Sequence, residues 1–196
     1  MSRYKSAIVV MAQNPYQYLS LFLCHHAKLV EKIVIIDHRS TLRLRDIKMA
    51  NVEVVESNQE AQFQSEVTNA AIRDLKLYKL YDWIFVLDVD EFLPFTNKQS
   101  FNDFLSSNSN EFGVSFNWLN AVGIYPSKDK ETNKPEALHE LPSIFISKKN
   151  NPTIKVAINS AKTSYPFYFR TGAHAVVRLK LFSWLFPEKY KYKACS

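Results

Sequence analysis

Continuous apolar runs recur through the first half of the chain, each closed by polar or turn-forming residues. Residues 7–12 (AIVVMA) read as a buried strand. Asn14-Pro15 ends it, and residues 16–29 then carry Leu19, Phe22, Leu23 and Ala27 near one helical face. Residues 32–37 (KIVIID) form a second apolar run, 52–55 a third and 83–87 (WIFVL) a fourth. Between them, Ser40 is placed to cap a short helix ending near Ala50, and residues 60–80 have helical composition and spacing. Strands alternating with helices predict a parallel sheet covered by helices. The strands are apolar on both faces, as a sandwiched sheet needs.

The pattern loosens after about residue 95. Residues 101–107 predict a short helix and 112–118 a strand. Residues 126–142 are polar, hold Asp129, Glu131, Glu136 and Glu140, and read as a loop or lid. Residues 143–147, 155–158 and 173–179 are short strand candidates, and no internal repeat is visible. The expected fold class is α/β: a single Rossmann-like domain with a mixed central sheet and helices on both faces. Residues 1–95 form its ligand-binding βα half, 96–176 an acceptor or lid half of the same domain, and 177–196 a basic, aromatic C-terminal tail.

A length of 196 residues suits one domain. Three glycines are too few for a Gly-rich phosphate loop, which excludes P-loop NTPases and dinucleotide folds of the GxGxxG type. A net charge of +6 favours anionic partners. Cys24 lies in an apolar helical stretch and reads as a buried thiol; Cys195 reads as free. That usage, without zinc spacing, fits a reducing compartment. The first apolar run is too short for a signal peptide or a membrane span, so the expected location is the cytoplasm.

The sharpest chemical feature is WIFVLDVDEFLP, residues 83–94. If the strand runs on, Asp88 and Asp90 point one way and Glu91 the other. Carboxylates at the carboxyl end of a central strand sit where open α/β sheets bind ligands. Two like charges so close call for a proton or a cation, and a hard divalent ion with oxygen ligands answers that need.

The string VLDVDEF resembles the DxD segment of nucleotide-sugar glycosyltransferases with the GT-A fold, above all a family-2-like group whose fourth strand ends in W-x-x-x-x-D-x-D-E-F. Further pieces occur in matching order. Residues 14–19 (NPYQYL) resemble that group's NE-x-x-YL turn, and His25-His26 its YH. Residues 37–41 (DHRST) resemble its D-N-x-S-T-D. Asn117-Trp118 with Gly123 resembles its W-x-x-F-G stretch, and Lys155 and residues 172–174 (GAH) its late lysine and histidine. The resemblance spans about residues 6–176. It implies a metal-dependent transferase that moves a sugar from a nucleotide-diphosphate donor, a UDP-sugar foremost, to a glycan or lipid-linked glycan, as in bacterial surface polysaccharide synthesis. The implied cofactor is Mn2+ or Mg2+. Asn14 and Asp37 would border the nucleotide, with Asp37 accepting a hydrogen bond from the base. Asp88 would contact ribose and metal, Asp90 the metal, and His174 would be a further metal ligand. Gln62 or Gln64 would touch the nucleotide. Lys155, Lys162 or Arg170 would add positive charge over the leaving group, and Lys155 with Trp118 would border the sugar and acceptor.

An inverting enzyme also needs a general base. The acids available are Asp129, Glu131, Glu136, Glu140 and Glu91, of which Glu140 is favoured because it stands where the lid returns to apolar sequence. His139 stands beside it. A retaining mechanism needs no such base. Trp118 reads either as a wall of the acceptor pocket or as a core residue. One of His25 and His26 is expected to cap or pack against the sheet.

Residues 176–193 mix Leu, Phe and Trp with Arg178, Lys180, Lys189, Lys191 and Lys193. The segment suits a membrane interface, which would place the protein at the inner face of the cell membrane; a final packed helix with a basic tail is the other reading. The end at Ser196 comes early for the fold, which implies a compact or shortened chain. Three rival classes fit less well. Haloacid-dehalogenase-type phosphatases expect Thr where this chain has Phe92 and a later acidic pair. A non-catalytic basic domain lacks any nucleic-acid-binding pattern, so no nucleic-acid partner is expected. Sugar nucleotidyltransferases expect a Gly-rich loop where this chain has residues 12–15 (AQNP).

Overall fold

The four apolar runs of the first half lie side by side in one sheet. A computed structural model describes residues 4–15, 18–41, 43–60, 63–118, 121–123, 144–146, 151–163, 166–170, 173–178, 188–189 and 193–195. Of these, 118, 121–123, 144–146, 151–153, 178, 188–189 and 193–195 are described by backbone alone. Strands β1 (Ser6–Ala12), β2 (Lys32–His38), β3 (Val52–Ser57) and β4 (Trp83–Asp88) are parallel, in the order β3-β2-β1-β4.

The second half extends the same sheet. Strand β5 is Gly113–Trp118, and β6 (Ala121–Gly123) and β7 (Ile144–Ile146) form a two-stranded ribbon. Strand β8 (Asn151–Asn159) runs antiparallel between β4 and β5. Strands β9 (Phe167–Phe169), β10 (Val176–Arg178) and β11 (Glu188–Lys189) make a small antiparallel sheet. Strand β12 (Lys193–Cys195) pairs in parallel with β5, giving a seven-stranded order of β12-β5-β8-β4-β1-β2-β3. The architecture is thus α/β and Rossmann-like, a mixed sheet flanked by helices. The expected tail contributes strands at its described positions rather than a helix.

Among the described residues, four helices cover the sheet: α1 (Tyr18–His26), α2 (Gln64–Asp74), the single turn α3 (Leu77–Leu80) and α4 (Lys98–Ser107). One face of the sheet buries Ile8, Val10, Ile33, Ile35, Trp83 and Phe85 against α1 and α4. The other buries Val9, Val34, Ile36, Ile84 and Val86 against α2, α3 and the small sheet. At nine residues, α1 is too short to persist alone in water. Burial of Leu19, Phe22 and Leu23, at roughly 1.5–3 kcal/mol for each fully buried side chain, holds it in place.

Several local expectations change. His26 joins the buried stripe of α1, with Ala27 packed against the same core just beyond the helix, while Cys24, off that stripe, is exposed rather than buried. Ser40 caps no helix. Only a 3-10 turn, Leu44–Asp46, forms there, and Arg43 precedes it. Leu44 is the buried residue of that turn. The long helix predicted over 60–80 breaks at Lys76, whose φ of 53° is left-handed. The break starts a fresh turn and seats Leu77 in the core at 1% exposure.

Candidate functional site

Asp37 and Asp88 lie on the two strands that flank β1, one register position apart. Ala12 pairs with Asp37 and Met11 with Asp88. Two strand spacings separate them, ~10 Å. Connections leave β1 toward β2 on one side, while β4 lies on the other. The carboxyl ends of β1 and β4 therefore form the topological switch point, where open α/β sheets bind ligands.

The loops above these strands are tied together. Asn14, at a left-handed φ of 47°, donates its backbone N–H to Ser40 Oγ at 3.0 Å. Its side-chain Oδ1 accepts the Thr41 backbone N–H at 2.8 Å and the Thr41 hydroxyl at 3.1 Å. Ser40 N–H in turn donates to Asp37 Oδ1 at 3.0 Å. Ser40 is a clasp between loops, which is why it is not available as a cap. His38 and Arg39 bond the backbone carbonyls of Gln59 and Asn58, joining the β2 and β3 loops. Asp37 is 8% exposed, at the floor of this clasp.

At Asp88 the strand stops, and so does the alternation that put Asp88 and Asp90 on one side and Glu91 on the other. Glu91 N–H donates to the Asp88 carbonyl at 3.0 Å and closes a turn. Asp90 rides on that turn, exposed. Glu91 folds back instead of pointing away: its Oε2 accepts the Asp88 backbone N–H at 2.7 Å. The geometry of the turn, not strand register, thus sets where these acids point.

Lys155 completes the arrangement. It is 3% exposed, with Nζ 2.8 Å from Asp88 Oδ2 and 3.1 Å from Glu91 Oε1. Gln64, the first residue of α2, donates Nε2 to Asp88 Oδ1 at 3.2 Å. Burial alone would raise the Asp88 carboxyl. The hydrogen bond and charge of Lys155, with the bonds from Glu91 and Gln64, outweigh it and hold Asp88 below the usual carboxylate range. Burial pushes the Glu91 carboxyl up to about 7; the charge of Asp88 adds to this, while the Asp88 N–H and Lys155 oppose it.

Two histidines pin the next residues. His26, fully buried, takes the Leu93 backbone N–H on Nε2 at 3.2 Å, while its Nδ1 bonds the Phe22 carbonyl at 3.0 Å. His25 Nε2 bonds the Leu93 carbonyl at 2.8 Å. Burial, helped by the neighbouring His25, lowers the His26 ring to about 3 against the pull of the Phe22 carbonyl. Both histidines therefore hold the acidic turn to α1.

The other expected residues fall into three groups. Some lie at the same end of the sheet. His174 is exposed, and its Nδ1 bonds the carbonyl of Ile154, next to Lys155, at 2.6 Å. Arg170 borders a small, open cleft with Gln64, Ser65, Thr68, Val86, Phe169 and Ala173. Trp118 ends β5 at the Lys155 end of β8, since Phe116 pairs with Lys155. Lys162 lies at the opposite end. Strand β8 runs antiparallel to β4 and closes at Asn159 beside Trp83, so Lys162, three residues beyond that close, is remote from Asp88. Gln62, Asp129, Glu131, Glu136, His139 and Glu140 lie outside the described residues.

Among the described residues, no three His, Cys, Asp or Glu side chains form a group that could hold a metal ion. Asp88, Asp90 and His174 are thus not brought together as a three-ligand set. In nucleotide sites, however, Mg2+ commonly takes one or two carboxylates and completes its shell with phosphate oxygens and water. The half-exposed Asp88 and exposed Asp90 fit that smaller donor set.

Lys155 had a sequence signal of its own. A lysine inside the apolar run Ile154–Ile158 (IKVAI) must find a counter-charge if the strand is buried, and residues 88–91 carry three acids. No helix among the described residues is long and apolar enough to cross a membrane.

No protein-family model matches the chain, and no curated protein matches it. Among solved structures it is similar to the bifunctional IspDF from Campylobacter jejuni, with 17% identity, a TM-score of 0.36 and 80% of this chain covered. The chain spans 41% of that protein's length.

Proposed function

We propose that this chain is a glycosyltransferase of GT-A type that moves a sugar from a nucleotide-diphosphate donor, a UDP-sugar foremost, to a glycan or lipid-linked glycan. The observation that carries the reading is the placement of Asp37 and Asp88, one register position apart, on either side of the β1 carboxyl end. A nucleoside laid across that switch point meets Asp37 under its base and Asp88 under its ribose. Supporting it is the ordered resemblance around VLDVDEF.

In this reading Asp88 and Asp90 hold Mn2+ or Mg2+, which, when bound, stabilises the charge developing on the departing diphosphate. The chain's own residues do the rest. Gln64 orients Asp88 through Oδ1. Arg170, exposed beside the cleft next to Gln64, adds positive charge toward the leaving group. Glu91 is 5% exposed and committed to the Asp88 N–H and Lys155, so it holds the turn rather than an acceptor hydroxyl. An inverting reaction would then draw its base from Glu140.

Calorimetric titration with UDP, GDP, CMP and ADP, each with and without Mn2+, tests the reading on wild type and Asp90→Ala. One nucleotide should bind in a Mn2+-dependent way and lose that dependence in the variant. No binding of any of the four with metal present would overturn it.

A further inference from the structure

A carboxylate cluster built to hold a divalent ion is ordinarily left negative until the ion arrives. Here the position is taken by the protein itself. The Lys155 ammonium sits between Asp88 Oδ2 and Glu91 Oε1, at 2.8 and 3.1 Å, with the lysine 3% exposed. Glu91 is enclosed as well, while the Asp88 side chain keeps 41% of its surface in solvent. The shared ammonium is therefore open to exchange on the Asp88 side only. Lys155 stands on β8 and pairs with Phe116 of β5, two residues from the β8 pairing with β4, so its backbone is fixed and it cannot drift away as a loop lysine would.

We propose that Lys155 is a resident cation of this site, which competes with a divalent metal ion for Asp88 and must give up Oδ2 before the ion gains it. The proposal rests on the transferase reading in that a metal is used at Asp88. Its consequence is an order of events. Without nucleotide, a divalent ion must displace an enclosed charge-assisted bond and gains few protein ligands in return. A diphosphate supplies further oxygens and charge, so metal and nucleotide enter together. Lys155 remains anchored to Glu91 throughout.

The test is Mn2+ affinity of the nucleotide-free protein, read by calorimetry or by the free-Mn2+ electron paramagnetic resonance signal. Lys155→Met should bind Mn2+ at least tenfold more tightly than wild type, and adding Asp88→Asn should abolish the gain. Lys155→Arg, which keeps the cation, should show no gain. Because Lys155→Met leaves Glu91 enclosed without its partner, Lys155→Met/Glu91→Gln is measured alongside and should also bind more tightly than wild type. If neither variant folds, the wild-type protein decides: saturating Mg2+ should shift the Lys155 15Nζ resonance. Unchanged or weaker Mn2+ binding in folded Lys155→Met and Lys155→Met/Glu91→Gln, or an unmoved resonance, overturns the proposal while leaving the transferase reading intact, provided wild type still binds Mn2+ with nucleotide. Absence of Mn2+ binding in every variant, with nucleotide present, overturns both.

Discussion

His26 Nε2 accepts the backbone N–H of Leu93 at 3.2 Å, across 67 positions of sequence. With Nδ1 facing the Phe22 carbonyl as donor, the ring must be neutral to serve both. The acidic turn is thus fastened to α1 by a group that fails when it gains a proton.

That fastening has a pH signature. The buried ring protonates near 3 and an unfolded one near 6.5, so between those values the unfolded chain takes up the extra proton. The contribution is complete above about 6.5 and is lost as pH falls toward 3, by up to ~4–5 kcal/mol. Urea midpoints of wild type should drop from pH 7 to 4. In His26→Leu the slope should shrink, at a cost of roughly 1–3 kcal/mol at pH 7 for the stranded Leu93 N–H. A wild-type slope retained in full would place its source elsewhere.

Glu91 acts in the opposite direction. Its carboxyl holds a proton up to about 7 when folded, against 4.5 when unfolded, so the folded state binds more protons in between. Stability from this group is complete below about 4.5 and is lost as pH rises through 7, by roughly 3 kcal/mol. Glu91→Gln keeps an oxygen for the Asp88 N–H and cannot ionise. Comparing its denaturation at pH 5 and 8 with wild type should show the fall on the alkaline side removed.

The two aspartates should separate structure from binding. Asp90 is exposed on the turn, so Asp90→Asn should leave the melting temperature unchanged while Mn2+-dependent nucleotide binding is lost. Asp88→Asn should lose both, with stability falling by about 1–2 kcal/mol because the enclosed Lys155 loses one partner, less than for a fully buried pair. Equal melting temperatures for the two variants would contradict the role given to Lys155.

Asn14 is held at φ 47° and bonded to Thr41. Asn14→Gly loses the side-chain bonds but also the Cβ that strains this backbone; Asn14→Ala loses the same bonds and keeps the Cβ in the left-handed region. The alanine variant should be less stable than the glycine variant by ~1–2 kcal/mol in chemical denaturation. The reverse order would mean that the clasp does not constrain the loop.

Strands β1, β2 and β4 and their order of appearance were legible because a strand buried on both faces has to be apolar throughout. Asp37 and Asp88 were legible for the same reason: each is the charge that ends such a run. The direction of Glu91, the enclosure of Lys155 and the clamp of His25 and His26 on Leu93 were not. Each depends on partners 60 or more positions away, or on a turn that cancels strand alternation at Asp88. Composition similarly suggested a helix over 60–80, but seating Leu77 in the core required the break at Lys76. By itself the sequence determined where the chain is apolar, and hence the layered sheet and the edge on which its acids collect. Tertiary structure alone decided which charge faces which, because burial of a charge is tolerated only where the fold brings an opposite one to meet it.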